Sequence, residues 1–453
     1  MVVSGMRELD AIVVGAGFAG LSAAVRLARD GARVRVLEAR SRLGGRATAL
    51  QDSTTGEWVD NGQHVLLGCY TETRAFLREI GSDGSLLTQP GLAVTMVDRS
   101  GRRSRLECPS LPVPLHLLAG VFDWDALAWA DKWSVLHLMG PLRTARRQLE
   151  GDRRRLAASP DETVESWLIR NGQTARIREM LWNPLAIAAL NQSPTEAGAT
   201  YFVRVLAEMF GGDQGAASVH IPTRPLSAMY AEPARAYLER RGSAVRTGAA
   251  ARVDIAAADR ATVSCGSEML SAAAVVVAVP WFALPELFGG RVELLGSVLA
   301  AARGTVASPI VTVNLWLDSP VLDQPFLGLP GRPMQWVFDK RLAWGPPASH
   351  LSLVSSGASD MLARSNPELV DLAMTEIVDA LPAARTARLR HASVVREPHA
   401  TFSLAPGQPP RPDVRTEVKG LVLAGDWIDT GLPATIESAV RSGHRAAEAV
   451  LHP

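Results

Sequence analysis

Residues 11 to 20 read Ala11-Ile12-Val13-Val14-Gly15-Ala16-Gly17-Phe18-Ala19-Gly20, four apolar residues running directly into a G-x-G-x-x-G turn. The apolar run is continuous rather than alternating, as in a parallel strand buried on both faces. Beyond the turn, Leu21, Ala24, Val25, Leu27 and Ala28 recur at helical spacing, and Gly31 marks the helix end. A second strand, Arg33-Val34-Arg35-Val36-Leu37, closes on Glu38, 18 positions beyond Gly20. The glycine pattern alone is weak evidence. Strand, turn, helix, strand and acid in this order make a dinucleotide-binding unit. Gly15 permits the tight turn, Gly17 lets a pyrophosphate approach the backbone, and Gly20 lets the helix pack on the strand. The turn as a whole, including Ala16, Phe18 and Ala19, is therefore expected at the cofactor. The helix N-terminus faces the phosphate charge, and Glu38 accepts from ribose hydroxyls. An acid there repels a 2′-phosphate, which disfavours NADP.

The next segment, Glu38-Ala39-Arg40-Ser41-Arg42-Leu43-Gly44-Gly45-Arg46, adds a glycine pair and three arginines. Adjacent glycines permit another close backbone approach, and arginine suits bidentate phosphate contacts. The combination resembles the flavoprotein superfamily of amine oxidases, phytoene desaturases and their relatives, in which this stretch wraps FAD. That resemblance implies cofactor contacts from Ala39, Arg40, Gly44, Gly45 and Arg46. Far along the chain, Leu421-Val422-Leu423-Ala424 reads as a last parallel strand ending in Gly425-Asp426, at the carboxyl edge where ligands sit in open α/β sheets. A helix is expected to begin near Pro433, with Ile436, Ala439, Val440, Gly443, Ala446, Ala447 and Val450 on one small, apolar face. In the superfamily, the Gly-Asp pair reaches the flavin ribityl chain. The helix start, here Pro433, Ala434, Thr435 and Ile436, points at the flavin pyrimidine edge, where a helix N-terminus stabilises negative charge. Both ends of the chain thus resemble halves of one FAD site. Between them, Ala274 to Val279 reads as another buried strand. Arg252-Val253-Asp254-Ile255 resembles the strand whose backbone meets the adenine, which adds Val253.

The chain has 453 residues, 47 Lys+Arg against 46 Asp+Glu, 9 His and 3 Cys. That length makes two or three domain-sized units. Near-neutral charge gives no general drive toward nucleic acid. Cys69, Cys108 and Cys265 are scattered, which argues against a disulfide framework, and the histidines lack metal-ligand spacing, so no metal is expected. Without a signal core or a long apolar window, the expected location is cytoplasmic, compatible with a peripheral position on the inner face of the cytoplasmic membrane.

The expected fold is α/β: a Rossmann-like FAD-binding domain, a parallel sheet with helices and antiparallel additions, drawn from residues 1–90, 221–300 and 401–453. An inserted mixed α+β substrate domain takes residues 91–220 and 301–400. Trp124, Trp129, Trp133, Trp167, Trp182, Trp316, Trp336 and Trp344 fall in the inserted segments. Each singly reads as core; together they suit a long apolar cavity. Leu111 to Leu142 mixes apolar residues with Asp123, Asp125, Asp131 and Lys132, and Arg143, Arg146, Arg147, Arg153, Arg154 and Arg155 follow. Such a run is usually a solvated face. The alternative is an interfacial element that admits a lipid from a bilayer.

Trp58-Val59-Asp60-Asn61-Gly62-Gln63-His64-Val65-Leu66-Leu67-Gly68-Cys69-Tyr70 resembles a signature of the bacterial hydroxysqualene dehydroxylases, squalene-forming flavoproteins of hopanoid pathways. So do Trp182-Asn183-Pro184-Leu185-Ala186, Ala188-Ala189-Leu190-Asn191, Ser308-Pro309-Ile310-Val311-Thr312-Val313, Gln335-Trp336-Val337-Phe338-Asp339 and the stretch from Gly425 to Thr435. The resemblance spans nearly the whole chain and departs at Ile428 and Ser438, where Thr and Gly are expected. It implies an FAD-dependent oxidoreductase that replaces the hydroxyl of hydroxysqualene with hydrogen. Its substrate would be a long isoprenoid, its pathway neighbours the enzymes that make hydroxysqualene. With no Cys near the final helix, a covalent cysteinyl-flavin bond there is not expected, and FAD is expected to bind non-covalently.

Water has a pKa of about 15.7, so hydroxide leaves poorly and an acid must protonate the departing oxygen. Reduced flavin then delivers hydride to the allylic cation. The candidates for that acid are His64, Asp60, Asp339 and Asp429. His64 leads, because its loop, with Gly62 and Gln63, follows a family segment that passes near the flavin, and imidazole titrates near neutrality. A structural hydrogen bond is the competing role for His64, and Asp60 reads more readily as a loop brace. A phytoene-type desaturase, with the same fold and lipid class but the opposite redox direction, is the nearest rival. A flavin amine oxidase fits less well. Those enzymes carry an aromatic residue where this chain has Thr435, and only Lys132, Lys340 and Lys419 are available for the lysine they hold near the flavin. A lipid-escort protein without redox chemistry would not need both ends of an FAD site.

Overall fold

The N-terminal apolar run forms the strand Leu9–Val14 at the centre of a five-stranded parallel sheet. The computed structural model describes residues 9–151, 157–257, 260–345 and 349–453; Arg153, Arg154 and Arg155 of the basic run lie outside them. From one edge, the strands are Ala244–Arg246, Val34–Leu37, Leu9–Val14, Ala272–Val277 and Leu421–Leu423. Val13 lies between Val36 and Val276, and Val276 pairs in turn with Val422. All five run the same way, so their carboxyl ends finish on one edge, where a ligand can reach the first helix N-terminus. The helix Phe18–Arg29 follows directly from the glycine turn.

The last helix, Ile436–Leu451, packs on Phe18–Arg29. Gly443 sets how closely: a Cβ there would lie 2.3 Å from the Ala19 carbonyl oxygen and from Ser22 Oγ. The helix starts later than the sequence suggests. Thr435 caps it, with Oγ1 accepting from the Ser438 N–H at 3.1 Å, and Pro433 sits in the preceding loop. A hydroxyl cap satisfies an orphan first-turn donor, which Pro433 lacks the side chain to do.

A second, seven-stranded sheet runs in the order Leu389–Phe402, Ala307–Leu317, Ser349–Ser356, Trp336–Asp339, Phe326–Gly328, Ala93–Val97 and Arg103–Glu107. The helix Asn366–Ala380, capped by Ser365 and Glu368, covers one face through Leu369, Ala373 and Ile377 against Val311, Val313 and Leu353. Arg252 to Ile255 lie inside a separate four-stranded sheet. A helical layer, including Leu115–Asp123, Asn183–Leu190 and Ala199–Gly211, and two small sheets, Ala49–Gln51 with Trp58–Asp60 and Val219–Pro222 between Leu66–Leu67 and Leu86–Thr88, make up much of the rest. Trp124, Trp167 and Trp182 are buried in its core, and Trp182 donates to Gln173 Oε1 at 2.8 Å. Among the described residues no helix is long and apolar enough to cross a membrane.

Candidate functional site

A chamber of about 500 Å³ opens at the carboxyl edge of the parallel sheet. Gly15, Ala16, Gly17, Phe18 and Ala19 line it from the first turn, and Glu38, Ala39, Arg40, Gly44, Gly45 and Arg46 from the segment after the second strand. Gly62, Gln63 and His64 enter from the loop after Asp60, and Gly425, Asp426, Ala434, Thr435 and Ile436 from the C-terminal segment. The structure therefore gathers most of the expected cofactor residues into one cavity.

Three expected residues stand elsewhere, each for a physical reason. Gly20 lines nothing, because its Cα faces the strand turn, where a Cβ would fall 1.9 Å from the Gly15 carbonyl oxygen. It is the packing glycine of the motif rather than a contact. Val253 is fully buried inside its sheet, and Ala249, Ala250 and Ala251, just before it, reach the chamber instead. Pro433 lines an adjoining pocket rather than the chamber.

The chamber suits a dinucleotide. Gly15 adopts φ of +107°, a left-handed conformation that favours glycine, and a Cβ would lie 2.6 Å from the Ala278 carbonyl oxygen. Gly17 caps the first helix without a side-chain acceptor, so first-turn N–H groups are available to an anion. Glu38 is buried and already accepts from the Ala16 N–H at 2.9 Å and the Arg40 N–H at 3.0 Å, which fixes its carboxylate at the rim. Arg46 donates to Asp426 and to the Ala400 carbonyl at 3.0 Å, joining the N-terminal and C-terminal walls. These features fit FAD: helix N–H groups for the pyrophosphate, Glu38 for the ribose, and Asp426 with the Thr435 helix start for the flavin end.

Of the four acids considered from sequence, only His64 reaches the chamber. The residue is half-buried, and among the described residues its shielded Nδ1 has no hydrogen-bond partner. Burial pushes its pKa down, against the pull of Asp60, which disfavours the cationic form. Asp60 faces away from the cavity: Oδ2 lies 3.0 Å from Lys340 Nζ, and Oδ1 accepts from the Leu226 N–H. Asp339 caps the helix Lys340–Trp344 and pairs with Arg341 at 3.2 Å; burial pushes its carboxyl up, but it lines neither cavity. Asp429 is turned outward to Arg411 at 3.1 Å, with its side chain 62% exposed. Neither Asp339 nor Asp429 can donate a proton into the chamber from these positions.

Sequence reading gave Glu397 and Ser356 no role, and named Lys340 only as one of three available lysines and Ile310 only within a signature stretch. Lys340 Nζ bridges Asp60 and Gln63 over the Trp344 ring, 3.9 Å from its centroid, and so holds the loop carrying His64 from beneath. Glu397, Ile310 and Ser356 line the chamber from the seven-stranded sheet. Glu397 stands in a strand rich in polar residues, among them Arg390, His391, Ser393, Arg396 and His399, so its sequence context carries no signal that it faces a cavity.

A smaller pocket of about 110 Å³ shares Val65, Tyr70, Ala188, Ala189 and Thr435 with the chamber. Leu67, Leu185, Val205 and Leu432 extend its apolar wall, with Arg441 held beside it by Glu437 at 3.5 Å and Glu208 at 3.8 Å. Burial, then Glu208 and Glu437, pushes the Cys69 thiol up to about 12, so it lines this pocket as a neutral apolar group. None of the tryptophans expected around an apolar cavity lines either space. Their bulk is spent on core and surface, and the walls carry aliphatic side chains together with Phe18, Tyr70 and Phe282.

The chain matches the family described as flavin containing amine oxidoreductase over residues 18–451. It is 31% identical to a hydroxysqualene dehydroxylase of Sinorhizobium fredii, over 97% of each chain. It is 32% identical to one of Rhodopseudomonas palustris, again over 97% of both. Its fold resembles that of cyclohexylamine oxidase from Brevibacterium oxydans, with a TM-score of 0.74 at 18% identity over 98% of this chain and 99% of that one.

Proposed function

Since the chain belongs to the flavin-containing amine oxidoreductases and, within them, to the hydroxysqualene dehydroxylase family, we propose that it binds FAD non-covalently and converts hydroxysqualene to squalene. The observation that carries this reading is the apolar pocket opening off the cofactor chamber. Val65, Leu67, Leu185, Ala188, Ala189 and Val205 offer an aliphatic isoprenoid a mostly apolar wall, whose charged members Arg441, Glu437 and Glu208 are paired with one another. An amine substrate finds no aromatic partner at Thr435.

Bound FAD supplies a hydride when reduced. The protein does the rest. The Gly15–Ala19 turn and the helix N-terminus hold the pyrophosphate, Glu38 the ribose, and Arg46 with Asp426 close the two walls on the cofactor. The Lys340–Asp60–Gln63 network fixes the loop that carries His64 at the boundary with the apolar pocket. Buried aliphatic walls exclude water from the carbon that loses its hydroxyl, which protects a carbocation from being quenched.

Residues 1–90, 221–300 and 401–453 serve the cofactor in this reading, and residues 91–220 and 301–400 the lipid. The strands of the seven-stranded sheet, which fall between Ala93 and Phe402, support that division. The lipid enters from a membrane surface. Support comes from Leu115, Trp129 and Trp133, 53%, 67% and 55% exposed, with Lys132 over the Trp129 ring. Neighbouring pathway enzymes that release hydroxysqualene into the same bilayer fit that route.

The test is anaerobic incubation of the FAD-loaded protein with hydroxysqualene and dithionite, followed by mass spectrometry of the lipid. Squalene is expected only when the flavin is reduced. If none forms while the oxidised protein desaturates squalene or phytoene, the redox direction is reversed and the desaturase reading replaces this one.

A further inference from the structure

The chamber holds one carboxylate that the cofactor-binding set does not use. Glu397 lies on the strand Leu389–Phe402. Ala392 and Val394 of that strand pack into the core beneath the helix Asn366–Ala380, and Arg396 reaches Asn366 at 2.6 Å. Side chains alternate along a strand, so Glu397 is turned to the other face. It pairs across the sheet with Ile310, and Ile310 with Ser356. All three line the chamber, making a row of acid, aliphatic and hydroxyl side chains along one wall.

Among the described residues, Asn61 alone holds the carboxyl group. Its Nδ2 donates to the Arg46 carbonyl at 2.7 Å and to Glu397 Oε1 at 3.1 Å. Among the described residues, Glu397 Oε2 has no hydrogen-bond partner and no cation lies within ion-pair distance. The other chamber acids are engaged: Glu38 with two backbone N–H groups, Asp426 with Arg46. Asn61 belongs to the same loop as Gly62, Gln63 and His64, so the free oxygen of Glu397 is presented beside that loop.

We propose that Glu397 is the proton donor to the departing hydroxyl, an inference that rests on the dehydroxylase reading. In the protonated form, taken up from solvent before the substrate binds, its carboxyl O–H gives its proton to the substrate oxygen. The carbon–oxygen bond breaks with its electron pair going to oxygen, and water leaves. The allylic carbon then gains a hydride, with its electron pair, from the reduced flavin, which is thereby oxidised by two electrons. Alcohol, proton and hydride give hydrocarbon and water, so atoms and charge balance. The carboxylate left behind lies next to the carbocation while it lasts and opposes its charge. Solvent returns the proton afterwards.

The test compares wild type, Glu397→Gln and Glu397→Asp as FAD-loaded proteins on two substrates: hydroxysqualene, and its carboxylate ester, whose leaving group departs as a stable anion without a proton. Glu397→Gln is expected to keep its FAD affinity within about threefold and its flavin spectrum unchanged. It should lose roughly 10²–10⁴ in kcat/KM on the alcohol but less than about tenfold on the ester. Glu397→Asp should recover part of the loss. Equal losses on both substrates, or an alcohol rate within tenfold of wild type, overturn the proposal. So does a fall in FAD affinity that parallels the rate, which makes Glu397 a cofactor ligand. If wild type yields no squalene from either substrate, the dehydroxylase reading has failed and takes this role with it. Activity in Glu397→Gln beside an active wild type removes the proton donor alone.

Discussion

Replacing Lys340 with methionine removes its ammonium group while keeping much of the volume of its stem. The charges of Lys340 and Asp60 are 3.0 Å apart, with their side chains 4% and 1% exposed. At an effective dielectric of about 20, that separation corresponds to roughly 5 kcal/mol of attraction. Burial pushes the Lys340 pKa down while Asp60 pulls it back up, so the pair is held together against desolvation. Lys340→Met strands a buried carboxylate and is expected to destabilise the protein by about 3–5 kcal/mol. Asp60→Asn strands the ammonium and should cost a similar amount. The double variant removes both charges and loses chiefly the hydrogen bond to Gln63, about 1 kcal/mol, so it should be more stable than either single variant. Urea unfolding followed by tryptophan fluorescence gives the comparison. FAD affinity adds a second readout, because Gln63 and His64 line the chamber. A Lys340→Met variant within about 1 kcal/mol of wild type, or a double variant in which the two losses simply add, would refute the account of a buried pair.

Other perturbations probe the rest of the site. Gly443→Ala pushes a methyl group against Ala19 and Ser22, and overpacking of this kind costs about 1–3 kcal/mol; a lower melting temperature with weakened FAD binding is expected. Arg46→Ala unties Asp426 and the Ala400 carbonyl, and FAD should bind about 10–100-fold more weakly by flavin fluorescence, the loss of one or two charge-assisted bonds. Burial alone would raise the Asp98 carboxyl, but hydrogen bonds from Ser100, Arg176 and the Arg102 N–H overcome it and hold the pKa at about 2. With an unfolded value near 3.9, its contribution of about 2–3 kcal/mol is complete above pH ~4 and is lost as pH falls toward 2. Asp98→Asn should flatten that part of the acid-denaturation profile.

Legibility in the sequence followed locality. Residues 11–46 carry strand, turn, helix and acid in succession, so periodicity and spacing suffice to place them at a cofactor. The C-terminal wall is recognisable by its likeness to known flavoproteins, and the cap at Thr435 refines where its helix starts. Glu397 shows the limit. Its partner Asn61 is 336 residues away in sequence, and no local pattern distinguishes a carboxylate facing a cavity from one facing solvent. Asp429 and Asp339 fail in the opposite sense. Motif membership puts each near the site along the chain, but backbone direction turns Asp429 toward Arg411 and draws Asp339 into a helix cap. His64 lines the chamber, and burial, which sequence alone does not reveal, pushes its pKa down.

The packing of the helix Ile436–Leu451 on Phe18–Arg29 also sets a schedule for biosynthesis. On a ribosome adding roughly 5–20 residues per second, Gly443 follows Ala19 by on the order of half a minute. Until then the face of the first helix that meets Gly443 lacks that partner, and the chamber lacks its C-terminal wall of Gly425, Asp426 and the Thr435 helix start. Flavin captured early would have to be held by half a site. Loading is therefore a late event, and a ribosome that stalls before Gly425 leaves an apolar helix face for chaperones to shield.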